Sequence, residues 1–205
     1  CPQNAKEIRN DVPVAKKLIA TGKPVIVSLA PSFVANYANA TIESMKETLL
    51  KLGFSDVQET AIGATIVKKE YEKLIQEGKQ DIIISTCCHT VNTLVQKYYP
   101  TLVSCLAPVP SPMLAHCAKI KKENPEAYTV FIGPCISKKD EADTYKGIVD
   151  CVLTYEELTQ WLKDENMDYI KQDYVYQDQT RARLFPTSGG ILQTMDKPEG
   201  DYQYL

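Results

Sequence analysis

Short β-branched runs alternate with longer helix-like segments along this chain, and this alternation limits the possible folds more than any other feature. Buried strands are predicted at residues 25–30 (VIVSLA) and 129–133 (TVFIG). Further strands are predicted for VQET, for IIIS at 82–85 and for CVLTY at 151–155. Strands separated by helices of this length form parallel sheets with right-handed crossovers. The sequence therefore predicts a doubly wound α/β fold, with mainly parallel sheets flanked by helices.

The segments between these strands are predicted to be helical. Residues 32–52 form one predicted helix, with Ser32 as its N-cap and Gly53 at its end. Gly63 precedes a charged helix over 64–77, which ends at Gly78. Three more helices are predicted at 90–98, 112–123 and 156–165.

The Pro-rich stretch APVPSPM at residues 107–113 is the clearest internal boundary. We expect a first α/β lobe over 23–107 and a second, incomplete lobe over 108–205. A short leading segment, residues 1–22, precedes both lobes. No repeat or low-complexity segment divides the chain further.

Composition and charge argue against several classes of partner. The 205 residues carry a net charge of −3 with a pI near 5.5, and lysines lie among acidic neighbours, so no basic footprint for nucleic acid is present. No apolar run approaches the roughly 18 residues that cross a bilayer, and the first residues lack a signal-peptide pattern. We expect a cytoplasmic protein that contacts neither nucleic acid nor membrane.

Seven cysteines, an odd number, occur without a secretory signal, so we expect reduced thiols. Two of the thiol-bearing turns follow apolar runs: Cys87 and Cys88 in STCCH, and Cys135 in GPCISKK. Parallel strands present such turns at one end of the sheet, where α/β folds bind ligands. Thiolates there suit a metal cluster or redox chemistry, although adjacent cysteines are also commonly buried as small apolar side chains.

These motifs resemble the iron-only (FeFe) hydrogenases. STCCH followed by KYYP at 97–100 is similar to the family's TSCCP motif and its helix ending in YYP. GPCISKKDEA at 133–142 is similar to MPCxxKKxEA, and PTSGG at 186–190 to the family's GATGG turn. LAPSF resembles the family's APA segment, and residues 1–22 resemble the exit of a ferredoxin-like module.

The resemblance implies a cofactor, the H-cluster, in which a 4Fe-4S cubane is joined to a two-iron subcluster carrying carbon monoxide, cyanide and a dithiolate. It implies that Cys88 and Cys135 ligate the cubane, that Cys87 passes protons and that Lys138 binds a cyanide. Thiolates suit iron–sulfur clusters, and an ammonium offers three donors to an anionic ligand. The residues implied to line the cofactor are Ala30, Pro31, Ser32, Met113, Pro134, Phe185, Ser188, Gly189 and Gly190.

The family's third motif, a CxxxC-type segment with the other two cubane ligands, is not found before Leu205. We therefore expect a truncated domain that is largely apo by itself. The resemblance implies three kinds of partner in the full-length protein: a ferredoxin-type electron carrier or attached cluster module, the hydrogenase maturation proteins, and signalling domains.

Several residues depart from the catalytic pattern that the resemblance implies. His89 stands where the family has proline, Gly133 where it has methionine, and Met113 where it has glutamine. Ala107 replaces a serine of the proton path, and Glu70 is the one match to that path's acids. These changes are similar to those of the sensory branch, in which the site reports hydrogen or redox state.

Other interpretations stay open at this stage. Lys138 and Lys139 also fit a solvated surface pair, and His89 fits either a polar helix start or a replacement cluster ligand. Ser188, Gly189 and Gly190 fit a phosphate cradle or tight packing against a cofactor. Three further cysteines fit either core packing or additional ligation: Cys105, Cys117 and Cys151. A non-catalytic 4Fe-4S protein of redox or assembly function is the alternative to a hydrogenase or a sensor.

Overall fold

A computed structural model of the chain describes residues 2–3, 5–172, 181–187 and 189–195. In this part of the chain four strands form one sheet, in the order β2-β1-β3-β4, and every pair is parallel. The strands are β1 (Val25–Leu29), β2 (Asp56–Glu59), β3 (Tyr128–Gly133) and β4 (Cys151–Thr154). The predicted α/β fold with a parallel sheet is confirmed.

Nine α-helices accompany the sheet within the described residues, together with 3-10 helices at Pro100–Cys105 and Arg181–Leu184. They are α1 (Val12–Ala20), α2 (Phe33–Asn36), α3 (Ile42–Lys51), α4 (Ala61–Glu77), α5 (His89–Tyr98), α6 (Pro112–Glu123), α7 (Ser137–Thr144), α8 (Tyr155–Asp164) and α9 (Gly190–Thr194). None of these helices is long and apolar enough to cross a membrane.

The strand order places a topological switch point between β1 and β3. The chain runs from β1 outward to β2 on one side, and later from β3 outward to β4 on the other. Open parallel sheets bind ligands beyond the carboxyl ends of the two strands at such a point. Both predicted lobes contribute two strands to this sheet, and the division at residue 107 stays a prediction.

The predicted strand at 82–85 is wrong. Ile84 forms only an isolated parallel bridge with Leu106: its N–H donates to the Cys105 carbonyl over 2.7 Å, and its carbonyl accepts from Ala107 over 2.9 Å. The apolar run IIIS has the right composition, but its extended partner within the described residues is too short to make a ladder. The first cysteine turn therefore does not follow a strand of the four-stranded sheet.

The predicted single helix over 32–52 is also wrong, because the segment contains two helices. Asn39 adopts a left-handed conformation, with φ of 60°, between α2 and α3. Thr41 then caps α3 in a reciprocal arrangement with Ser44: each side chain hydrogen-bonds the other residue's backbone N–H. Ser32 precedes α2 but makes no capping hydrogen bond.

Glycine at position 63 lets α4 pack closely against α6. The predicted helix at 64–77 begins three residues earlier, at Ala61, so Gly63 lies inside it. A Cβ atom there would approach the Pro112 carbonyl oxygen to 2.1 Å and the His116 Cβ to 2.8 Å. The close approach of these two helices explains a glycine in a helix interior, where it is otherwise unfavourable.

Two apolar clusters hold these layers together. The main cluster packs the sheet against α2, α3, α6 and α8, with Phe33, Leu29 and Leu158 fully buried. A second cluster lies beside α4 and includes Tyr71, Ala107 and Phe185, with Cys87 packed against it. The second cluster thus connects the first cysteine turn to the segment after residue 180.

Candidate functional site

The loops that follow β1 and β3 lie side by side at the switch point. The Ala30 N–H donates to the Ile132 carbonyl over 2.8 Å, continuing the pairing of the two strands. Gly133 ends β3, and a Cβ atom on it would stand 3.1 Å from the Cβ of Ala30. The glycine therefore allows the two chain exits to approach each other. Pro134 and Cys135 follow it on the exposed surface.

One buried hydroxyl holds the loop after β1. Tyr155, the first residue of α8, donates to the Ala30 carbonyl over 3.0 Å and hydrogen-bonds the Ser32 hydroxyl over 2.8 Å. Burial raises the pKa of Tyr155, so its phenol stays neutral and available as a donor. Pro31 and Ser32 are half-buried in this loop. The contact also explains why Ser32 does not cap α2.

The Cys87 thiol points into a hydroxyl network. It donates to the Tyr71 phenol oxygen over 3.8 Å, and the same oxygen accepts from the Thr86 backbone N–H over 2.8 Å. Burial raises the pKa of the Cys87 thiol, against the opposing effects of hydrogen bonds and of the Lys138 charge. The thiol is therefore protonated at neutral pH, and it is half-buried.

The other two predicted thiols are exposed. Cys88 occupies the N-cap position of α5, where its side chain makes no capping hydrogen bond. Cys135 lies in the turn that leads into α7, and its carbonyl accepts from the Lys138 backbone N–H over 3.2 Å. Each thiol thus stands just before a helix, accessible to a ligand.

Two side chains of α7 tie the cysteine turns together. The Lys138 ammonium donates to the Cys87 carbonyl over 3.3 Å and to the buried Glu141 carboxylate over 2.5 Å. The His89 Nε2 atom hydrogen-bonds the Asp140 carboxylate over 2.7 Å. The structure therefore joins the turn of Cys87 and Cys88 to α7, the helix that Cys135 precedes, although the first turn does not follow a sheet strand.

The interpretation of Lys138 and Lys139 as a solvated surface pair is wrong. Lys139 is 6% exposed, and its ammonium contacts the Asp11 and Glu157 carboxylates over 2.8 and 2.9 Å. It also donates to the Val152 carbonyl over 2.9 Å. Lys139 thus joins the segment before α1 to β4 and α8, while Lys138 faces the cysteine turns. Adjacent lysines have different structural roles here.

The Gly-rich turn packs against its own preceding segment. A Cβ atom on Gly190 would stand 1.9 Å from the Leu184 carbonyl oxygen, and Gly189 adopts a left-handed φ of 66°. Phe185 is buried in the second apolar cluster beside Cys87. Backbone packing accounts for the glycine at position 190 without a phosphate ligand. Ser188 lies outside the described residues.

Other predicted lining residues differ in their accessibility. Met113 is 1% exposed and belongs to the main core, so its side chain is enclosed by protein. Ala107 is buried in the second cluster, and Glu70 is exposed on α4. Cys117 and Cys151 are buried, and burial raises the pKa of each thiol to about 12. Both of these thiols pack as core residues.

The donors present fit an iron–sulfur cluster in chemical type. Cys88 and Cys135 offer two accessible thiols, the ligand that iron–sulfur clusters use. Three or more metal-binding side chains do not gather in the described part of the chain. The two thiols thus supply part of a ligand set. The Lys138 ammonium has three donors and two acceptors among the described residues, which allows a further anionic contact.

Sequence reasoning missed three residues of this site: Tyr71, Asp140 and Glu141. Asp140 and Glu141 lie inside the KKDEA run, so their closeness to the turn is visible in the sequence, but their partners are not. Tyr71 carries no local signal, because its contact with Cys87 depends on how α4 packs against residues 85–87.

Comparison with protein families gives a match over most of the chain. The family described as "Iron only hydrogenase large subunit, C-terminal domain" matches residues 23–200. Iron hydrogenase 1 of Clostridium pasteurianum is 25% identical over 92% of this chain and 38% of its own length. The Periplasmic [Fe] hydrogenase large subunit of Nitratidesulfovibrio vulgaris is 26% identical over 86% of this chain and 48% of its own length. The chain thus spans less than half of each of these relatives.

Solved structures show the same fold. A variant of the [FeFe]-hydrogenase HydA1 from Chlamydomonas reinhardtii superposes with a TM-score of 0.68 at 25% identity, over 90% of this chain and 56% of that one. A structure titled as an apo variant of the same hydrogenase gives a TM-score of 0.67 at 23% identity, over 87% of this chain and 56% of the other. The parallel sheet with its flanking helices is the fold of these hydrogenases.

Proposed function

Because the chain belongs to the family of the iron-only hydrogenase large subunit, C-terminal domain, we propose that it binds the H-cluster in a hydrogenase-like protein. The main support is that Lys138 joins the Cys87 turn to the turn of Cys135. These two linked turns carry the exposed thiols of Cys88 and Cys135. When bound, the cofactor supplies the redox chemistry that interconverts protons, electrons and H2. Activity belongs to the full-length protein in this proposal.

Each residue of the linked turns has a distinct proposed role. Cys88 and Cys135 ligate the cubane, and accessible thiols support this role. Lys138 donates to a cyanide, which its remaining donor capacity supports. The proposed lining comprises Ala30, Pro31, Ser32, Met113, Pro134, Phe185, Ser188, Gly189 and Gly190. Of these, Met113 would need its core environment to open, since its side chain is enclosed.

Cys87 holds a proton at its Sγ atom in this proposal. Its raised pKa keeps the thiol protonated at neutral pH, as a proton carrier requires. The Tyr71 phenol oxygen accepts a hydrogen bond from the Cys87 S–H group, which fixes the orientation of that group. The half-buried position limits contact with water, which favours transfer of this proton to a bound cofactor over exchange with solvent.

A sensory role is the second candidate, and the surroundings of Cys87 favour it. Ala107 offers a methyl group to the apolar cluster beside Cys87, where a serine hydroxyl would extend the hydrogen-bonded network. Glu70 is exposed, and among the residues that the structure describes the Tyr71 hydroxyl hydrogen-bonds only residues 85–87. Slow proton delivery suits a protein that reports hydrogen or redox state and does not turn over rapidly.

We propose partners and a compartment that match this chemistry. Electrons come from a ferredoxin-type carrier or an attached cluster module, and hydrogenase maturation proteins supply the two-iron subcluster. Signalling domains join the sensory form. Exposed thiols such as those of Cys88 and Cys135 stay reduced most readily in the cytoplasm, which supports this compartment. One relative is described as periplasmic.

Infrared spectroscopy of the full-length protein after incubation with maturation proteins tests the proposal, combined with a hydrogen-evolution assay on the same sample. Carbon monoxide and cyanide bands with rapid turnover indicate a hydrogenase, and bands with little turnover indicate a sensor. Iron and sulfide without such bands leave only a non-catalytic 4Fe-4S protein. Absence of iron and sulfide contradicts cluster binding altogether.

A matched pair of variants tests the role of Cys87. Cys87→Ala is expected to abolish hydrogen turnover while iron and sulfide content stay unchanged. Cys105→Ala, at a half-buried thiol outside the linked turns, is the control. It is expected to keep both the hydrogen turnover and the iron and sulfide content of the unmodified protein. Unchanged turnover in Cys87→Ala contradicts the proton-carrying role.

A further inference from the structure

A hydrogen bond between His89 and Asp140 is a second tie between the cysteine turns. The His89 Nε2 atom lies 2.7 Å from the Asp140 Oδ2 atom. The imidazole side chain is 10% exposed, whereas the aspartate side chain is 72% exposed. Asp140 therefore reaches from the surface to a nearly buried ring. A bond of this length between a ring N–H and a carboxylate is of the stronger, charge-assisted kind.

The His89–Asp140 pair joins the two segments that carry the exposed thiols. His89 follows Cys88 directly and begins α5, while Asp140 lies on α7, in the helix that Cys135 precedes. The Lys138 contact with the Cys87 carbonyl joins the same two turns at another point. A single contact leaves two chain segments free to rotate about it, and two separated contacts remove that freedom. The Lys138 contact with the Cys87 carbonyl and the His89–Asp140 contact thus fix the Cys88 turn relative to α7.

Core packing alone does not account for the pair. The Asp140 side chain is 72% exposed, so solvent screens its contact with His89 and the contact adds little to the free energy of folding. A side chain without a hydrogen-bond donor at position 89 could not make this contact. The tie therefore depends on the histidine and aspartate that this chain has. Because His89 directly follows Cys88, the contact restricts the backbone conformation next to the exposed Cys88 thiol.

We propose that His89, oriented by Asp140, is a positioning residue that holds the Cys88 turn at the separation from Cys135 that a bound iron–sulfur cluster requires. The inference rests on the proposed function. Ligands fixed before binding lose less conformational freedom when the metal centre arrives. Outer partners of metal ligands commonly change metal affinity by about 10- to 100-fold when they are removed.

Cluster retention in the full-length protein tests this role. The protein and its variants are reconstituted with iron and sulfide, and iron release to a chelator is timed. His89→Ala and Asp140→Ala are each expected to release iron about tenfold faster than the unmodified protein, and the double variant no faster than either single one. Asp140→Asn keeps an acceptor for the ring N–H and is expected to restore most of the retention.

Asp143→Ala is the matched control. Asp143 lies on the same helix as Asp140 and is exposed, but its partner is Arg9. This variant is expected to release iron at the unmodified rate. Electron paramagnetic resonance of the reduced cluster is a second measurement. A positioning residue leaves the g-values unchanged in His89→Ala, whereas loss of a ligand shifts them.

Each remaining outcome overturns the inference. Unmodified retention in Asp140→Ala shows that the pair does not position the turn. Loss of retention in His89→Ala alone, with shifted g-values, assigns His89 as a ligand. If the unmodified protein binds no cluster, the proposed function fails and this inference fails with it. If the unmodified protein and all variants retain cluster equally, only the inference fails.

Discussion

The Lys138 ammonium donates to the backbone carbonyl of Cys87 across two turns that lie 51 residues apart in sequence. The same ammonium neutralises the Glu141 carboxylate, which is 2% exposed. A buried carboxylate needs a partner of opposite charge, so Glu141 keeps Lys138 directed inward. The contact that organises the candidate site is thus also a part of the fold.

Removal of the Lys138 charge is expected to destabilise the protein. Lys138→Met leaves Glu141 buried without its cation, and the free energy of unfolding should fall by about 3 kcal/mol. Urea unfolding measures this change. Adding Glu141→Gln should recover part of the loss, because the uncompensated charge is then absent. Lys51→Met, which breaks an exposed pair with Glu47, is the control and should change stability by less than about 0.5 kcal/mol. Equal effects of the two lysine changes would contradict the buried pair.

The described cysteines should differ sharply in their reaction with iodoacetamide. Cys88 and Cys135 are exposed, whereas burial raises the pKa of Cys117 and Cys151 to about 12. The two buried thiols should react roughly a hundredfold more slowly at pH 8, because only thiolate attacks the reagent and access is blocked. Timed labelling with peptide mass spectrometry measures each rate. In urea the four rates should converge, and rapid labelling of Cys117 in the native protein would refute its buried position.

His116 should make the protein less stable in acid. Its ring is fully buried between the Ser28 hydroxyl, 2.8 Å from Nδ1, and the Gln58 amide oxygen, 3.2 Å from Nε2. Burial lowers its folded pKa to about 4, against about 6.5 for an unfolded histidine. The unfolded state binds more protons between these values, so this contribution is complete above pH about 6.5 and lost as the pH falls towards 4. The loss should reach about 3 kcal/mol.

A histidine substitution isolates this effect from the titration of carboxylates. Urea unfolding is measured at pH 7 and pH 4.5 for the unmodified protein and for His116→Gln. The variant should be less stable at pH 7, and its stability should fall less on acidification. The same fall in both proteins would exclude His116 as the source.

Close packing at Gly63 should make the position intolerant of a methyl group. Gly63→Ala places a Cβ atom 2.1 Å from the Pro112 carbonyl oxygen, so α4 and α6 must separate. The expected loss is about 1–3 kcal/mol, despite alanine's higher helix propensity. Thermal and urea unfolding measure it. Gly78→Asn is the control, since that site is open and left-handed, a conformation that asparagine tolerates. A stabilised Gly63→Ala would show that the helices are not in contact there.

Local sequence signals predicted much of the architecture. The runs at 25–30, 129–133 and 151–155 correspond to β1, β3 and β4, because continuous β-branched stretches are typical of strands buried on both faces. The run at 82–85 has the same composition, but within the described part of the chain it pairs only through a single bridge between Ile84 and Leu106. Composition indicates whether a segment can adopt an extended β conformation. Whether it pairs into a sheet depends on a neighbouring segment, which local sequence does not reveal.

The break within 32–52 shows a second limit of local reasoning. Apolar periodicity continues through this stretch, yet Thr41 and Ser44 cap a new helix after Asn39 turns left-handed. The free energy of a capped helix start differs little from that of a continuing helix, so local sequence does not decide between them. At the break, Tyr37 packs against Tyr155 and donates a hydrogen bond to its carbonyl. Ser32, a good local cap, instead satisfies its hydroxyl with Tyr155.

By itself the sequence determined the class of fold and the positions of the two cysteine turns, because these depend on periodicity and residue type within a few positions. Only the tertiary structure decided that Lys138 donates to the Cys87 carbonyl, that Tyr71 accepts a hydrogen bond from the Cys87 thiol, and that His89 contacts Asp140. Such contacts join residues that are 16 to 51 positions apart. Their formation depends on how helices pack against the sheet, which follows from burial summed over the whole core.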